Sequence, residues 1–235
     1  MTNNVFIIGC GHSGTTILNK IISNHKDVYG VNNETSLFFK NNTEIINILD
    51  NFNSRRINFN KKYFCEKTPT HVYKINEMYK YTVNPKIIVI TRDGRDVIAS
   101  LKKRYGDFNK SLKRWIDDNT QWLNSSYINN FHILKYEDLV LNKSQTLSYI
   151  CDFLEIEYYD EIFNYNKKEV KLPSNFFDNN IFEGNNHDKL REYQVNQDLY
   201  DGTGRWENEL TEEEIQKLYS NVKFTEIMVK LGYVI

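Results

Sequence analysis

The stretch Val5-Phe6-Ile7-Ile8-Gly9-Cys10-Gly11-His12-Ser13-Gly14-Thr15-Thr16-Ile17-Leu18 constrains the fold of this chain more than any other. An apolar run feeds a glycine-rich turn, and the turn opens into a helical pattern. That is the anatomy of a phosphate-binding loop: glycines let the backbone approach an anion, and the free N–H groups of the loop and helix start point at it. Gly9 and Gly14 have the spacing of a nucleoside-triphosphate loop, but Thr15 stands where such a loop carries its lysine. Gly9, Gly11 and Gly14 also fit a dinucleotide fingerprint, a weak signal when it stands alone. The loop therefore suits a phosphate-like group and does not specify ATP or GTP.

Any anion site has to be local. The formal net charge is −1, so no global field recruits nucleic acid or a membrane surface. With 235 residues, 40% apolar and 26% charged, the chain is long enough for one full core. The sixteen Tyr and fourteen Phe read chiefly as core filling. Cys10, Cys65 and Cys151 are odd in number and unpaired in spacing, which predicts buried reduced thiols with no disulfide framework and no zinc site. No signal-peptide pattern and no stretch of membrane-spanning length is present in the sequence, so a cytoplasmic location is the expectation.

Strand and helix patterns alternate. Strands are expected at 5–9, 28–31, 63–65, 86–91 and 131–135, and helices at 14–24, 71–81, 93–103, 108–124 and 143–154. Glu34 through Asn47 is weakly helical, and 51–62 reads as polar and irregular. Lys86-Ile87-Ile88-Val89-Ile90-Thr91 is the clearest strand, continuous and β-branched as in the middle of a parallel sheet. The last element, Thr211 to Leu231, opens with a capping box, Thr211 followed by Glu214. Residues 157–203 are rich in Asn, Asp and Lys and read as a long irregular cover over a binding site near the C-terminal third. The alternation predicts an α/β, P-loop-type three-layer fold, a central parallel sheet with helices on both faces, in one domain spanning 1–235. Ligands of such sheets bind at the carboxyl ends of strands, where the loop after residue 9, Lys67 and Arg92 all fall.

A second anion grip follows the clearest strand. Arg92 ends it, and Ser100 lies about two turns into the next helix. A guanidinium and a hydroxyl so placed can hold a phosphate; alone, they fit equally a surface pairing of Arg92 and Arg95 with Asp93 and Asp96.

Taken together, the segments resemble the sulfotransferases that use 3′-phosphoadenosine 5′-phosphosulfate (PAPS), closest in flavour to protein-tyrosine and bacterial sulfotransferases. His12-Ser13-Gly14-Thr15-Thr16 is similar to the family's 5′-phosphosulfate loop, and Tyr63-Phe64-Cys65-Glu66-Lys67-Thr68-Pro69 to its EK-x-P segment. Arg92 through Ser100 resembles the 3′-phosphate motif, and Leu134-Lys135-Tyr136-Glu137-Asp138-Leu139-Val140 the YEDL segment. Gly204-Arg205-Trp206, then a helix ending Lys230-Leu231-Gly232-Tyr233, resembles the family's C-terminal end.

The resemblance implies roles. Gly11, His12, Ser13, Gly14, Thr15 and Thr16 would hold the 5′-phosphate; helix capping by the threonines is the plainer alternative. Arg92 and Ser100 would bind the 3′-phosphate, with Arg205 at either phosphate and Tyr136 at the adenine. Glu34 would be the general base for an acceptor hydroxyl, with His71 as its competitor. Lys67 would stabilise charge on the leaving phosphate rather than sit at the surface paired with Glu66. His12 stands where the family usually has a permanent cation, which shifts leaving-group stabilisation toward Lys67. Trp206 could pack near the nucleotide or in the core, while Glu137 and Asp138 are expected to cap or pair locally.

The activity so implied is transfer of a sulfuryl group from PAPS to a hydroxyl or amine acceptor, by in-line attack and without a metal. A small molecule, a carbohydrate or a peptide would serve as acceptor; no nucleic acid or membrane partner is expected. The rivals are a P-loop kinase-like phosphoryl transferase, against which Thr15 argues, and a catalytically degenerate domain that binds only 3′,5′-adenosine bisphosphate (PAP). Sequence leaves the acceptor and the oligomeric state unassigned.

Overall fold

The computed structural model describes residues 4–31, 33–163 and 201–235. Most of the expected cover, 164–200, lies outside the described residues. The strands are β1 (Asn4–Ile8), β2 (Val28–Gly30), β3 (Tyr63–Lys67), β4 (Lys86–Thr91) and β5 (Phe131–Lys135). They form one five-stranded sheet in the order β2-β3-β1-β4-β5 with every pair parallel. The helices are α1 (Thr15–Ser23), α2 (Asn42–Asn58), α3 (Ile75–Tyr81), α4 (Gly94–Tyr105), α5 (Phe108–Leu123), α6 (Tyr136–Leu141), α7 (Lys143–Leu154), α8 (Trp206–Glu209), α9 (Glu212–Ser220) and α10 (Val222–Lys230).

The two-residue period of β1 divides the core. Phe6 and Ile8 face Phe64, Val89, Trp115, Phe224 and Met228 on one side; Val5 and Ile7 face Leu18, Ile21, Ile88, Leu147 and Ile150 on the other. Helices therefore cover both faces, the three layers that the alternation predicts. The order also fixes where a ligand can enter. From β1 the chain runs outward to β2 and returns through β3, then crosses to β4 on the opposite side, so the carboxyl ends of β3, β1 and β4 stand side by side at the switch point. Those ends carry Lys67, the loop after Ile8, and Arg92.

Several boundaries differ from the sequence reading. The region 34–47 holds a 3₁₀ turn at Leu37–Phe39 and then the start of α2, which continues to Asn58 through a stretch expected to be irregular. Its start is a capping box between Asn41 and Glu44, and Ile45 and Leu49 bury its inner face. The helix expected at 71–81 is a 3₁₀ turn, Pro69–Tyr73, followed by α3. Tyr136 directly follows β5 and opens α6. The terminal element is two helices, because Asn221 breaks the first and caps the second through Phe224 N; the capping box of Thr211 with Glu214 stands as read. Cys10, Cys65 and Cys151 are each buried as free thiols. Among the described residues no helix is long and apolar enough to cross a membrane.

Candidate active site

The loop after β1 depends on its glycines. Gly9 has φ 142°, and a Cβ there would lie 2.5 Å from the Ile90 carbonyl oxygen. Gly14, the N-cap of α1, has φ 96°, and a Cβ there would meet the Tyr136 ring at 2.6 Å. His12 holds φ 71°, a left-handed conformation that a side-chain-bearing residue adopts at a cost. The N-cap of α1 is Gly14, which brings no side-chain cap, so Thr15 and Thr16 stand inside the helix and not at its cap. The loop thus offers a helix N-terminus whose first N–H groups are uncapped, beside glycines with no room for a side chain.

Lys67 arrives from the neighbouring strand. It is buried at the end of β3, and its Nζ donates to Glu34 Oε1 at 2.7 Å and to Thr16 Oγ1 at 3.2 Å. Glu34 is more open, its side chain one-third exposed (33%). One ammonium thereby joins the expected base to the expected phosphate loop. The pairing of Lys67 with Glu66 is not found, for a reason of geometry: consecutive strand residues point to opposite faces. Glu66 projects into the other layer, where its Oε1 accepts from the Thr35 and Thr68 hydroxyls at 2.8 and 2.6 Å and from Thr35 N at 3.2 Å. His71 Nδ1 is 3.3 Å from Glu66 Oε2, and both side chains are fully buried. Burial raises the Glu66 carboxyl, but His71 beside it and the two hydroxyls outweigh this and hold the group below its ordinary range. Phe38 N points at His71 Nε2 at 3.4 Å. Glu66 and His71 thus fasten the 35–38 segment to the strand end and set where Glu34 stands.

The expected 3′-phosphate residues converge on the same loop. Ser100 Oγ is 2.7 Å from His12 Nδ1, and Arg92 Nη1 donates to the His12 carbonyl at 3.4 Å. The Arg92 guanidinium lies 4.6 Å over the Tyr136 ring, so Tyr136 fills the space between Arg92 and Gly14. Arg92 Nη2 donates to the Gly202 carbonyl at 2.5 Å and lies 3.7 Å from Asp96 Oδ2. Asp96 also accepts from Gly204 N and Trp206 N, both at 3.0 Å, which pins the 202–206 strap to α4. Arg92 and Asp96 are buried, so they are no surface pair; Arg95 with Asp93, at 2.6 Å, is a local one. Arg205 turns along α8 to Glu209 at 2.7 Å. Trp206 packs against the Arg95 guanidinium at 4.4 Å. Glu137 does not pair locally as expected: it accepts from Asp93 N at 2.9 Å and from the Tyr233 hydroxyl at 2.8 Å, and so ties the start of α6 to the end of β4 and to the C-terminal turn.

Sequence reading missed one side of the loop. Arg114 of α5 lies against Gly11, its Nη2 3.1 Å from where a Cβ would be. Asp118, one turn on, takes Arg114 Nε at 3.4 Å and the Tyr73 hydroxyl at 2.8 Å. The only sequence cue was an Arg and an Asp four apart on one helix, an ordinary surface pattern. Among the described residues no cluster of His, Cys, Asp and Glu could hold a metal ion.

The model of the sulfotransferase family matches residues 34–161, more than half of the chain. No curated protein sequence matches. Among solved structures, the sulfotransferase domain from the curacin biosynthetic pathway is 17% identical, with a TM-score of 0.63 over 100% of this chain and 99% of that one. The sulfotransferase domain of the Synechococcus PCC 7002 olefin synthase is 14% identical, with a TM-score of 0.72 over 100% and 96%. Mouse sulfotransferase SULT7A1, complexed with PAP, is 17% identical, with a TM-score of 0.62 over 98% and 86%.

Proposed function

The chain belongs to the sulfotransferase family, and from that premise we propose that it transfers a sulfuryl group from PAPS to an acceptor hydroxyl or amine. The observation that carries this reading is the meeting of Glu34, Lys67 and Thr16 at the mouth of a loop whose other flank is held by Arg92 and Ser100. The fold's likeness to a mouse sulfotransferase complexed with PAP supports the choice of nucleotide.

The uncapped start of α1 and the crowding at Gly14 suit a 5′-phosphate, since backbone N–H groups would face it with no side chain between. Arg92 and Ser100 would take the 3′-phosphate, exchanging contacts with His12 and the 202–206 strap for contacts with the ligand. The donor supplies an activated sulfur–oxygen bond. Glu34 would accept the acceptor's proton as the acceptor oxygen bonds to sulfur. The sulfur–oxygen bond to the 5′-phosphate breaks, and its electron pair stays on PAP. Lys67 would meet the charge that develops on that phosphate. Glu34 is fit for the base role because it is open to solvent; His71 is fully buried between Glu66 and Phe38 and has no route to an acceptor.

Incubation of the purified chain with PAPS labelled in the sulfur, against a panel of phenols, sugars, alcohols and tyrosine peptides, tests the reading. Label entering one acceptor class, with PAP released in equal amount, is the expected result. Binding of PAP with no transfer to any acceptor would leave a nucleotide-binding domain without turnover. A preference for ADP with Mg²⁺ over PAP would make it a phosphoryl transferase.

A further inference from the structure

The loop that would hold the sulfated phosphate contains neither Lys nor Arg between Gly9 and Thr16. A permanent cation is nevertheless in contact with it. Arg114 reaches the loop from α5, and its Nη2 lies against Gly11. The rest of that guanidinium is fixed in place: Nε faces Asp118 and Nη1 donates to the Tyr105 hydroxyl. Asp118 is almost wholly buried and is itself held by Tyr73. Nη2 has no hydrogen-bond acceptor among the described residues. Burial opposes the charge on Arg114, but Asp118 and Tyr105 more than offset this, so the group stays cationic. Next to it, burial and then Asp118 push the Cys10 thiol well above its ordinary range, so Cys10 stays neutral and does not compete as an anion.

We propose that Arg114 binds the sulfuryl oxygens of the donor through Nη2, supplying from α5 the cation that the loop itself lacks. The proposal rests on the sulfotransferase reading above. Lys67 meets the loop at Thr16, and Arg114 meets it at Gly11. The two cations thus bracket the loop, one toward the leaving phosphate and the other toward the group that is transferred. The arrangement also explains why residue 11 is glycine although its backbone does not require one: any Cβ would press on the guanidinium.

The distinguishing property is that PAPS carries the sulfuryl group and PAP does not. Dissociation constants of both nucleotides are measured by calorimetry for the unaltered chain, Arg114→Gln and Arg114→Lys, with acceptor KM and kcat alongside. Arg114→Gln is expected to weaken PAPS by roughly tenfold or more, the loss of one charge-assisted hydrogen bond, while PAP stays within about twofold. Arg114→Lys, which keeps the charge but not the fork, should fall between and serves as the test if the Gln variant does not fold. Equal losses for PAP and PAPS would make Arg114 a brace for the loop and overturn the proposal. So would unchanged nucleotide affinities with a raised acceptor KM, which would place Arg114 at the acceptor. If the unaltered chain binds neither nucleotide, the sulfotransferase reading fails first, and this assignment falls with it.

Discussion

Lys67 Nζ lies 2.7 Å from Glu34 Oε1 and 3.2 Å from Thr16 Oγ1, so a single ammonium holds both the carboxylate and the loop. A carboxylate paired with an ammonium is a poor base. On the proposed reading, a phosphate on the loop would compete with Glu34 for Lys67. Glu34→Gln keeps the hydrogen bond to Lys67 and removes the basicity. Turnover of that variant should fall by at least about 10²-fold, with PAP affinity nearly unchanged. Steady-state rates and calorimetry check it; full activity would move the base elsewhere.

Arg92 tests the second grip. Arg92→Ala removes a guanidinium that lies over Tyr136 and beside Ser100's partner His12. PAP should weaken by roughly 30- to 150-fold, the value of a charge-assisted phosphate contact of about 2–3 kcal/mol. Adenosine 5′-phosphosulfate, which lacks the 3′-phosphate, should lose far less. Equal losses in competition binding would remove Arg92 from that phosphate.

Glu66 links stability to pH. Its carboxyl is held below the ordinary value of 4.5 in the folded chain. The unfolded chain therefore binds the proton first on acidification. The stabilising contribution is complete above about pH 4.5 and is lost as pH falls through the folded value. Glu66→Gln should lower stability near neutrality by about 2 kcal/mol, since a buried carboxylate with three hydrogen-bond donors is replaced by an amide. It should also flatten the acid limb. Urea titrations at neutral and acid pH read both effects.

Two glycines of one loop should behave oppositely. In Gly9→Ala the Cβ meets a backbone oxygen at 2.5 Å and φ is 142°, so neither the space nor the conformation allows it. A loss of about 2–4 kcal/mol is expected. In Gly11→Ala the Cβ meets only the Arg114 guanidinium, at 3.1 Å, which has to give by no more than a few tenths of an ångström. Stability there should stay within about 0.5 kcal/mol. Chemical denaturation compares the two.

What could be read from the sequence was local or periodic. The run from Val5 into Gly9 and the β-branched segment 86–91 announced β1 and β4, and Thr211 with Glu214 announced a helix start. The extent of α2 was missed because Ile45, Leu49 and Phe52 are a sparse apolar stripe in a polar segment, although the box of Asn41 and Glu44 marked its beginning. Lys67 beside Glu66 reads as an ion pair in one dimension, and only the pleat of a strand separates them. Arg114 and Gly11 are brought together by the packing of α5 against the sheet, and no local pattern carries that contact.

On the proposed function, one pocket takes a nucleotide by phosphates on both sides of its ribose. It is tested most directly by calorimetric titration of the unaltered chain with PAP and with ADP, each with and without Mg²⁺. PAP binding independent of Mg²⁺, and tighter than ADP by roughly tenfold or more, is the predicted result. ADP binding as tightly as PAP, or more tightly once Mg²⁺ is added, would contradict it.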